Sequence, residues 1–130
     1  MEARDTHVLE IRGETFGTIN NQSSSEEVFQ NKTLRPILKT QNDLFIRVFV
    51  NYAIKQKNVF FSLTPEKKMM YIENVIQRDI KFRNSLKGMV IALFTLEEYD
   101  EYIQISSNTN KRMMNMLVER LKSQIQLIEQ

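Results

Sequence analysis

Apolar residues recur along most of this chain at spacings of three and four, which is the period of amphipathic α-helices. Three glycines and two prolines are the strong helix breakers among 130 residues. The segment from Arg35 to Lys57 is rich in β-branched and aromatic residues, as strands are, but its polar residues favour a helix. They fall at four-residue intervals and form one narrow stripe: Asp43, Arg47, Asn51 and Lys55. We expect this helix to be covered on nearly every other side, at the centre of a bundle or in an oligomer interface.

Capping sequences indicate where further helices begin. Residues 64–66 (Thr-Pro-Glu) supply an N-cap, a proline at the first helical position and an acid in the first turn. Residues 95–98 (Thr-Leu-Glu-Glu) form a capping box, and residues 23–27 (Ser-Ser-Ser-Glu-Glu) predict another. Residues 33–36 (Thr-Leu-Arg-Pro) predict a new helix start, since proline is tolerated in a first turn.

The remaining boundaries follow from apolar stripes and polar runs. One stripe covers residues 69–80 and the next covers 82–93, with a bend predicted near Arg78–Lys81. Gly88 lies inside the second of these helices, and a close helix crossing would explain it. Residues 106–110 predict a polar connector, and the last helix is expected from about Asn110 to Ile128.

Together these elements predict an all-α fold, a single-domain helical bundle over residues 23–130 with four main helices and short ones. Residues 1–22 are expected to form a partly ordered N-terminal arm, in which Gly13 and Gly17 end local structure. Apolar side chains of the arm would dock it onto the bundle: Val8, Leu9, Ile11, Phe16 and Ile19.

The last predicted helix carries a heptad pattern that indicates a possible self-association seam. Apolar residues are spaced four, three, four and three apart: Met114, Val118, Leu121, Ile125 and Ile128. This spacing suits a parallel two-stranded pair and therefore a homodimer. The alternative is antiparallel packing of the same seam inside the chain's own bundle, which uses the same pattern.

Composition limits the chemistry that the chain can perform. Without cysteine it has no disulfide, thiolate metal site or cysteine nucleophile, and its sole histidine is His7. No signal peptide or membrane-spanning run is visible, so we expect a cytoplasmic protein. Gly13 and Gly17 do not fit a phosphate loop, since no Gly-Lys-Ser/Thr sequence follows them. The acids of residues 97–101 could bind a cation, but first-turn acids complement the helix dipole without one.

Charge is distributed unevenly along the chain, and this suggests nucleic-acid binding as an alternative function. Residues 33–90 carry eleven Lys and Arg against four acids, which could attract nucleic acid or an acidic partner. A helix-turn-helix over residues 65–94 would place Lys81, Arg83 and Lys87 on DNA, although its turn contains no glycine. The simpler interpretation is a solvated surface neutralised by acids of the flanking segments.

Other side chains with binding potential are interpreted first as core. Aromatic pairs at Phe60-Phe61 and at Tyr99 and Tyr102 could stack on a ligand, but such residues more often seal a core. The methionines could line an adaptable groove for a partner peptide or fill the core: Met69, Met70, Met113, Met114 and Met116.

Three segments of the sequence are similar to a known family: LEIRGETFGTI (9–19), TLRPILKTQNDLF (33–45) and FRNSLKGMVIALFTLEEY (82–99). They resemble a small, uncharacterised family of short all-helical bacterial proteins, some of which are labelled "glyoxalase". The residues do not support that label, because metal-dependent glyoxalases need strands and a histidine and glutamate ligand set. The resemblance therefore implies no catalytic residue.

These observations predict a non-enzymatic helical protein-interaction module without cofactor, metal or catalytic residues. The partner would be another protein or a second copy of the chain, and no membrane is expected to be involved. A nucleic-acid-binding helical protein that uses residues 33–90 is the first alternative. A small-molecule enzyme is disfavoured, because no base, nucleophile or ligand set converges.

Overall fold

The computed structural model describes residues 3–13 and 25–130, and these residues are helical with no strand among them. The all-α prediction is therefore confirmed. The α-helices, in chain order, are α1 (Ala3–Arg12), α2 (Ser25–Phe29), α3 (Arg35–Lys55), α4 (Pro65–Arg78), α5 (Ile80–Ile91), α6 (Leu96–Gln104) and α7 (Ser106–Lys122). A π-helical segment joins α2 to α3 (Gln30–Leu34), and short 3₁₀ helices lie at Val59–Ser62 and Ile125–Leu127.

The α-helix predicted from about Arg35 does begin there, but the break predicted before it is absent, because α2, the π-helical segment and α3 continue into one another. Phe29 and Arg35, which flank the π-helical segment, both have right-handed helical backbone angles, and the Arg35 N–H donates to the Gln30 carbonyl five residues earlier. Pro36 lacks an N–H and so gives no hydrogen bond to the Lys32 carbonyl, four residues before it. The chain stays helical there with a wider turn instead of stopping.

The caps predicted for α4 and α6 are confirmed. The Thr64 hydroxyl accepts from the Lys67 N–H at 3.3 Å, with proline in the first helical turn. Thr95 and Glu98 form a complete capping box at α6. These polar side chains satisfy N–H groups that have no partner inside the helix, so the sequence determines both starts locally.

The predicted bend near Arg78–Lys81 is also confirmed, and it consists of one residue. Asp79 ends α4 in an extended conformation and caps α5, since its carboxylate accepts from the Phe82 N–H at 3.1 Å. The Tyr52 hydroxyl donates to the other Asp79 oxygen at 2.6 Å. The hydrogen bond from Tyr52 and that from the Phe82 N–H lower the pKa of Asp79 below its ordinary value.

The helices group into two compact units. Unit 1 comprises the described residues of Met1–Gln41 and Lys87–Met113, and unit 2 comprises Asn42–Leu86 and Met114–Gln130. In unit 1 the Phe94 ring packs edge-on against Phe29, with ring centroids 5.5 Å apart. In unit 2 the buried Phe49 ring lies 5.2 Å from that of Phe60. Each unit thus has an aromatic centre of its own.

The polar stripe predicted on α3 is confirmed, since all four of its residues are exposed: Asp43, Arg47, Asn51 and Lys55. The expected cover on the other sides is present. Leu44 is 48% exposed and Ile54 is 40% exposed, but at roughly 100° per residue both lie within the stripe, Ile54 between Asp43 and Arg47 and Leu44 between Asn51 and Lys55. The other sides of residues 41–55 hold buried and half-buried residues, among them the fully buried Phe45 and Phe49.

Three predictions about the second half of the chain are wrong. Residues 106–110 are the first turns of α7 and not a connector, since the Thr109 N–H donates to the Ile105 carbonyl and the Thr109 side chain is buried. The last helix ends at Lys122 and not at Ile128. No helix crossing explains Gly88, because a Cβ added there would meet no atom within 4 Å.

The N-terminal arm contains helix α1, which belongs to unit 1. Val8 is buried and Leu9 half-buried, but Ile11 is 59% exposed and does not dock. Gly13 follows α1 with a φ of 69°, so the prediction that it ends local structure is confirmed. Phe16, Gly17 and Ile19 lie outside the described residues, and the division into 1–22 and 23–130 stays a prediction.

Candidate functional site

A buried ion pair joins α1 to α6 within unit 1. The two outer nitrogens of the Arg12 guanidinium donate to the two oxygens of Glu98, at 2.5 and 3.0 Å. The Arg12 side chain is 4% exposed and that of Glu98 is 12% exposed. Such a bidentate pair has a defined geometry, because the planar guanidinium matches the carboxylate.

Further hydrogen bonds connect this pair to the π-helical segment, to the Leu93 carbonyl and to the N-cap of α6. The Thr33 hydroxyl donates to Glu98 at 2.6 Å, and the Thr95 N–H donates to it at 2.8 Å. Arg12 also donates to the Lys32 carbonyl at 3.2 Å. That carbonyl lies four residues before Pro36, so a side chain supplies the donor that the proline lacks.

Burial and hydrogen bonding shift the pKa of Glu98 in opposite directions. Burial raises the pKa of Glu98, but the hydrogen bonds from Arg12, Thr33 and Thr95 lower it more, so its net pKa lies below the ordinary value. Glu98 therefore stays ionised in the folded protein at neutral pH. With both oxygens engaged, the carboxylate is suited to hold structure and not to accept a substrate proton.

A second pair of α1 side chains fixes the same end of α6. The Asp5 carboxylate accepts from the Leu96 N–H at 3.1 Å. Arg4 donates to the carbonyls of Phe94, at 2.8 Å, and Ala92, at 3.1 Å. The first turn of α6 is thus held by its own capping box and by side chains of α1.

The opposite face of α6 is apolar and exposed. Leu96 is 51% exposed, Tyr99 44% and Ile103 49%. At roughly 100° per residue the three lie within about 60° of one another on the helix, whereas Glu98 and the buried Tyr102 lie on the other side. We call Leu96, Tyr99 and Ile103 the apolar stripe of α6.

Acidic residues adjoin this stripe along one edge. Glu97, Asp100 and Glu101 are exposed and lie between the apolar stripe and the buried face of α6. Glu97 and Glu101 also line a cavity of about 700 Å³ in unit 1, together with residues of α1 and of the segment 28–33. Lys32 is the one cation among the described residues that line this cavity. The edge of α6 is therefore predominantly negative.

The acidic residues form no metal site in the described part of the chain. Among residues 3–13 and 25–130, no group of three or more histidine, aspartate and glutamate side chains is placed to hold a metal ion. Both Glu98 oxygens already accept hydrogen bonds from Arg12. The predicted absence of metal, cofactor and catalytic residues stays a prediction.

The predicted basic surface is distributed over two sides of α5. Arg83 and Lys87 are four residues apart and share a side of the helix, whereas Lys81 is displaced from Arg83 by roughly 200°. Lys81 is exposed, and Arg83 and Lys87 are half-buried. The structure argues against a helix-turn-helix at residues 65–94, because Asp79 alone separates α4 from α5, whereas that motif needs a turn of about three or four residues.

The predicted self-association seam is largely buried inside unit 2. Leu121 and Ile128 are 1% exposed, Met114 and Val118 are buried, and Ile125 is half-buried. Because α7 ends at Lys122, the last two positions do not continue its heptad. These residues thus pack within the chain, as the alternative interpretation of the seam had it.

The aromatic and methionine residues divide between core and surface. Phe60 and Tyr102 are buried, whereas Tyr99 is exposed. Among the methionines, Met113 and Met114 are buried and Met70 is 64% exposed, so they do not form one groove. Core filling accounts for the buried members and leaves Tyr99 available at the surface.

Sequence reasoning missed the groups that hold α6 and the stripe that α6 presents. Arg4, Asp5 and Arg12 carry no local indication of their partners at the start of α6, which lie more than 80 residues away along the chain. The stripe itself was detectable. Leu96, Tyr99 and Ile103 are spaced three and four apart next to three acids, which is the pattern of an amphipathic helix.

The chain matches no protein-family model, and no curated protein or solved structure is significantly similar to it. The family resemblance of residues 9–19, 33–45 and 82–99 therefore stays a prediction. No helix in residues 3–13 and 25–130 combines the length and the apolar character that crossing a bilayer requires.

Proposed function

We propose that this protein is a non-enzymatic helical interaction module that binds a protein partner through the apolar stripe of α6. The observation that carries this proposal is a contrast between the two faces of one helix. Its inner face is fixed by a buried ion pair and its outer face presents three large apolar side chains. A rigid apolar surface lowers the entropy lost on binding, which favours association.

The polar groups near α6 support binding over catalysis. The Glu98 oxygens accept from Arg12, Thr33 and Thr95, and Asp5 accepts from Leu96. A general acid or base must be able to exchange a proton with a substrate, and these carboxylates are held by donors of the chain itself. As part of the proposal we place the protein in the cytoplasm, as its cysteine-free composition suggests.

Site-specific cross-linking tests the proposed function. A photoreactive phenylalanine analogue replaces Tyr99 in the full chain, and the matched control carries it at Met70, which is 64% exposed and lies in unit 2. In lysate of the source organism we expect a defined protein adduct from position 99 and none from position 70. The pair Leu96→Ser and Ile103→Ser should abolish the adduct without changing the circular dichroism spectrum.

The same experiment separates this proposal from nucleic-acid binding. Unit 2 carries ten Lys and Arg against six acids, a net charge of +4, which supports the alternative. Charge removal at Lys81, Arg83 and Lys87 should leave the adduct at position 99 unchanged. Equal adducts at both positions, or an adduct with nucleic acid that depends on these three residues, would overturn the proposed function.

A further inference from the structure

The apolar stripe of α6 has an acidic edge whose charges the described residues leave unpaired. The side-chain carboxylates of Glu97, Asp100 and Glu101 form no hydrogen bond or ion pair with residues 3–13 or 25–130. Lys32 is the nearby cation that lines the same cavity as Glu97 and Glu101. A partner that lies on the stripe will therefore meet a net negative edge on one side.

We propose that the partner segment is an amphipathic helix with a Lys- or Arg-rich edge beside its apolar face. This inference rests on the proposed function and specifies the partner. Leu96 and Ile103 are seven residues apart, so the stripe is roughly 10 Å long, about two turns of a helix. Apolar side chains at two-turn spacing on a partner helix would pack along it, and the basic edge would lie over Glu97, Asp100 and Glu101.

Charge complementarity favours this occupant over a second copy of the chain. In an antiparallel two-fold pairing of α6 with itself, the acidic edge of each helix lies along the acidic edge of the other. Like charges at such close range oppose association. An anionic lipid surface is disfavoured for the same reason, because the three acids would face negative headgroups.

Two synthetic peptides of about 18 residues serve as probes. They share one leucine face and differ only in the flanking positions, which are lysine in one peptide and glutamate in the other. We measure their binding to the full chain by fluorescence anisotropy at low salt. The lysine peptide should bind about tenfold more tightly than the glutamate peptide, and the difference should disappear at about 0.5 M salt.

Variants test whether the preference for the lysine peptide arises at α6. The set Glu97→Gln, Asp100→Asn and Glu101→Gln should abolish the preference for the lysine peptide. A control set with the same charge change on exposed acids of unit 2 should preserve it: Asp43→Asn, Glu66→Gln and Glu129→Gln. The pair Tyr99→Ser and Ile103→Ser should weaken binding of both peptides, while thermal melts confirm that every variant is folded.

Four results would overturn this partner class. They are equal binding of the two peptides, binding of neither, a preference for the lysine peptide that survives the α6 charge set, and a preference that is lost in the control set. None of them decides the proposed function, which depends on the adduct at position 99. An adduct there combined with equal peptide binding would leave a partner protein whose contact with α6 is not basic.

Discussion

Arg12 and Glu98 depend on each other for their stability in the interior of unit 1. A buried charge is unfavourable unless an opposite charge and hydrogen bonds replace the water it has lost, and each of these residues supplies that replacement for the other. The pair also connects α1 to the start of α6. At the scale of single residues, it is one of the contacts that hold the helix carrying the candidate surface.

We therefore expect Arg12→Leu to lower the free energy of unfolding by about 3 kcal/mol at neutral pH, since it leaves the Glu98 carboxylate without its cation. Arg35→Leu is the matched control, because Arg35 is exposed and, among the described residues, its side chain donates to Asn31 one helical turn away. It should change stability by less than about 0.5 kcal/mol. Urea denaturation followed by circular dichroism measures both.

The loss of stability in Arg12→Leu should depend on pH. The folded pKa of Glu98 lies below its ordinary value of 4.5, so its stabilising contribution is complete above 4.5 and is lost as the pH falls below it. In Arg12→Leu the lowering of the Glu98 pKa by Arg12 is removed while burial, the largest single influence on it, remains, so protonation relieves the buried charge. The difference in unfolding free energy between wild type and variant should therefore shrink from about pH 6 to about pH 3. A constant or growing difference would contradict this account.

Residue-scale features are predictable from the sequence when both partners are close in the chain. Thr95 and Glu98 are three residues apart, and their capping box was predicted. The bond from Glu98 to Arg12 spans 86 residues, and no local pattern encodes which arginine will reach it. The role of the Glu98 carboxylate in the capping box was therefore predictable from the sequence, whereas its ion pair with Arg12 was not.

At the scale of elements, helix starts were predicted better than helix joins. Caps and Pro65 determine a start by satisfying or removing N–H groups, which is local chemistry. The join at Gln30–Leu34 was missed, because a wider helical turn keeps the chain helical into Pro36 and Arg12 bonds the Lys32 carbonyl there. Residues 106–110 were predicted as a connector but begin α7, and their polar composition gave no sign that the Thr109 side chain would be buried.

Two glycines that look alike in the sequence should respond oppositely to alanine. Gly88 is exposed within α5 with no atom near its Cβ position, so Gly88→Ala should stabilise the protein by about 0.5–1 kcal/mol through the better helix propensity of alanine. Gly13 has a φ of 69°, and Gly13→Ala should destabilise it by about 1 kcal/mol. Thermal denaturation of both variants measures the two signs. Destabilisation by Gly88→Ala would restore a packing role for that glycine.

At the scale of the whole molecule, the uneven charge of the sequence appears as a difference in net charge between the two units. Unit 1, with the acidic edge of α6, carries eight Lys and Arg against ten acids, whereas unit 2 is net positive. The all-α class was predictable from period and caps, but this partition was not, since it depends on which distant segments share a unit. The proposed partner surface therefore belongs to unit 1, whereas most of the basic segment, residues 42–86, belongs to unit 2.

A substitution in the seam of the last helix tests whether the molecule associates through α7. Leu121 is 1% exposed in unit 2, so Leu121→Glu buries a charge without a partner and should unfold the protein or destabilise it by at least about 3 kcal/mol. Leu127→Glu, on the same C-terminal segment but 57% exposed, is the control and should remain folded. Circular dichroism and sedimentation equilibrium at micromolar concentration distinguish the outcomes. A dimeric wild type together with a folded, monomeric Leu121→Glu variant would place the seam at an interface between copies. If Leu121→Glu unfolds and Leu127→Glu does not, the seam belongs to the core. Any homodimer would then have to form through another surface.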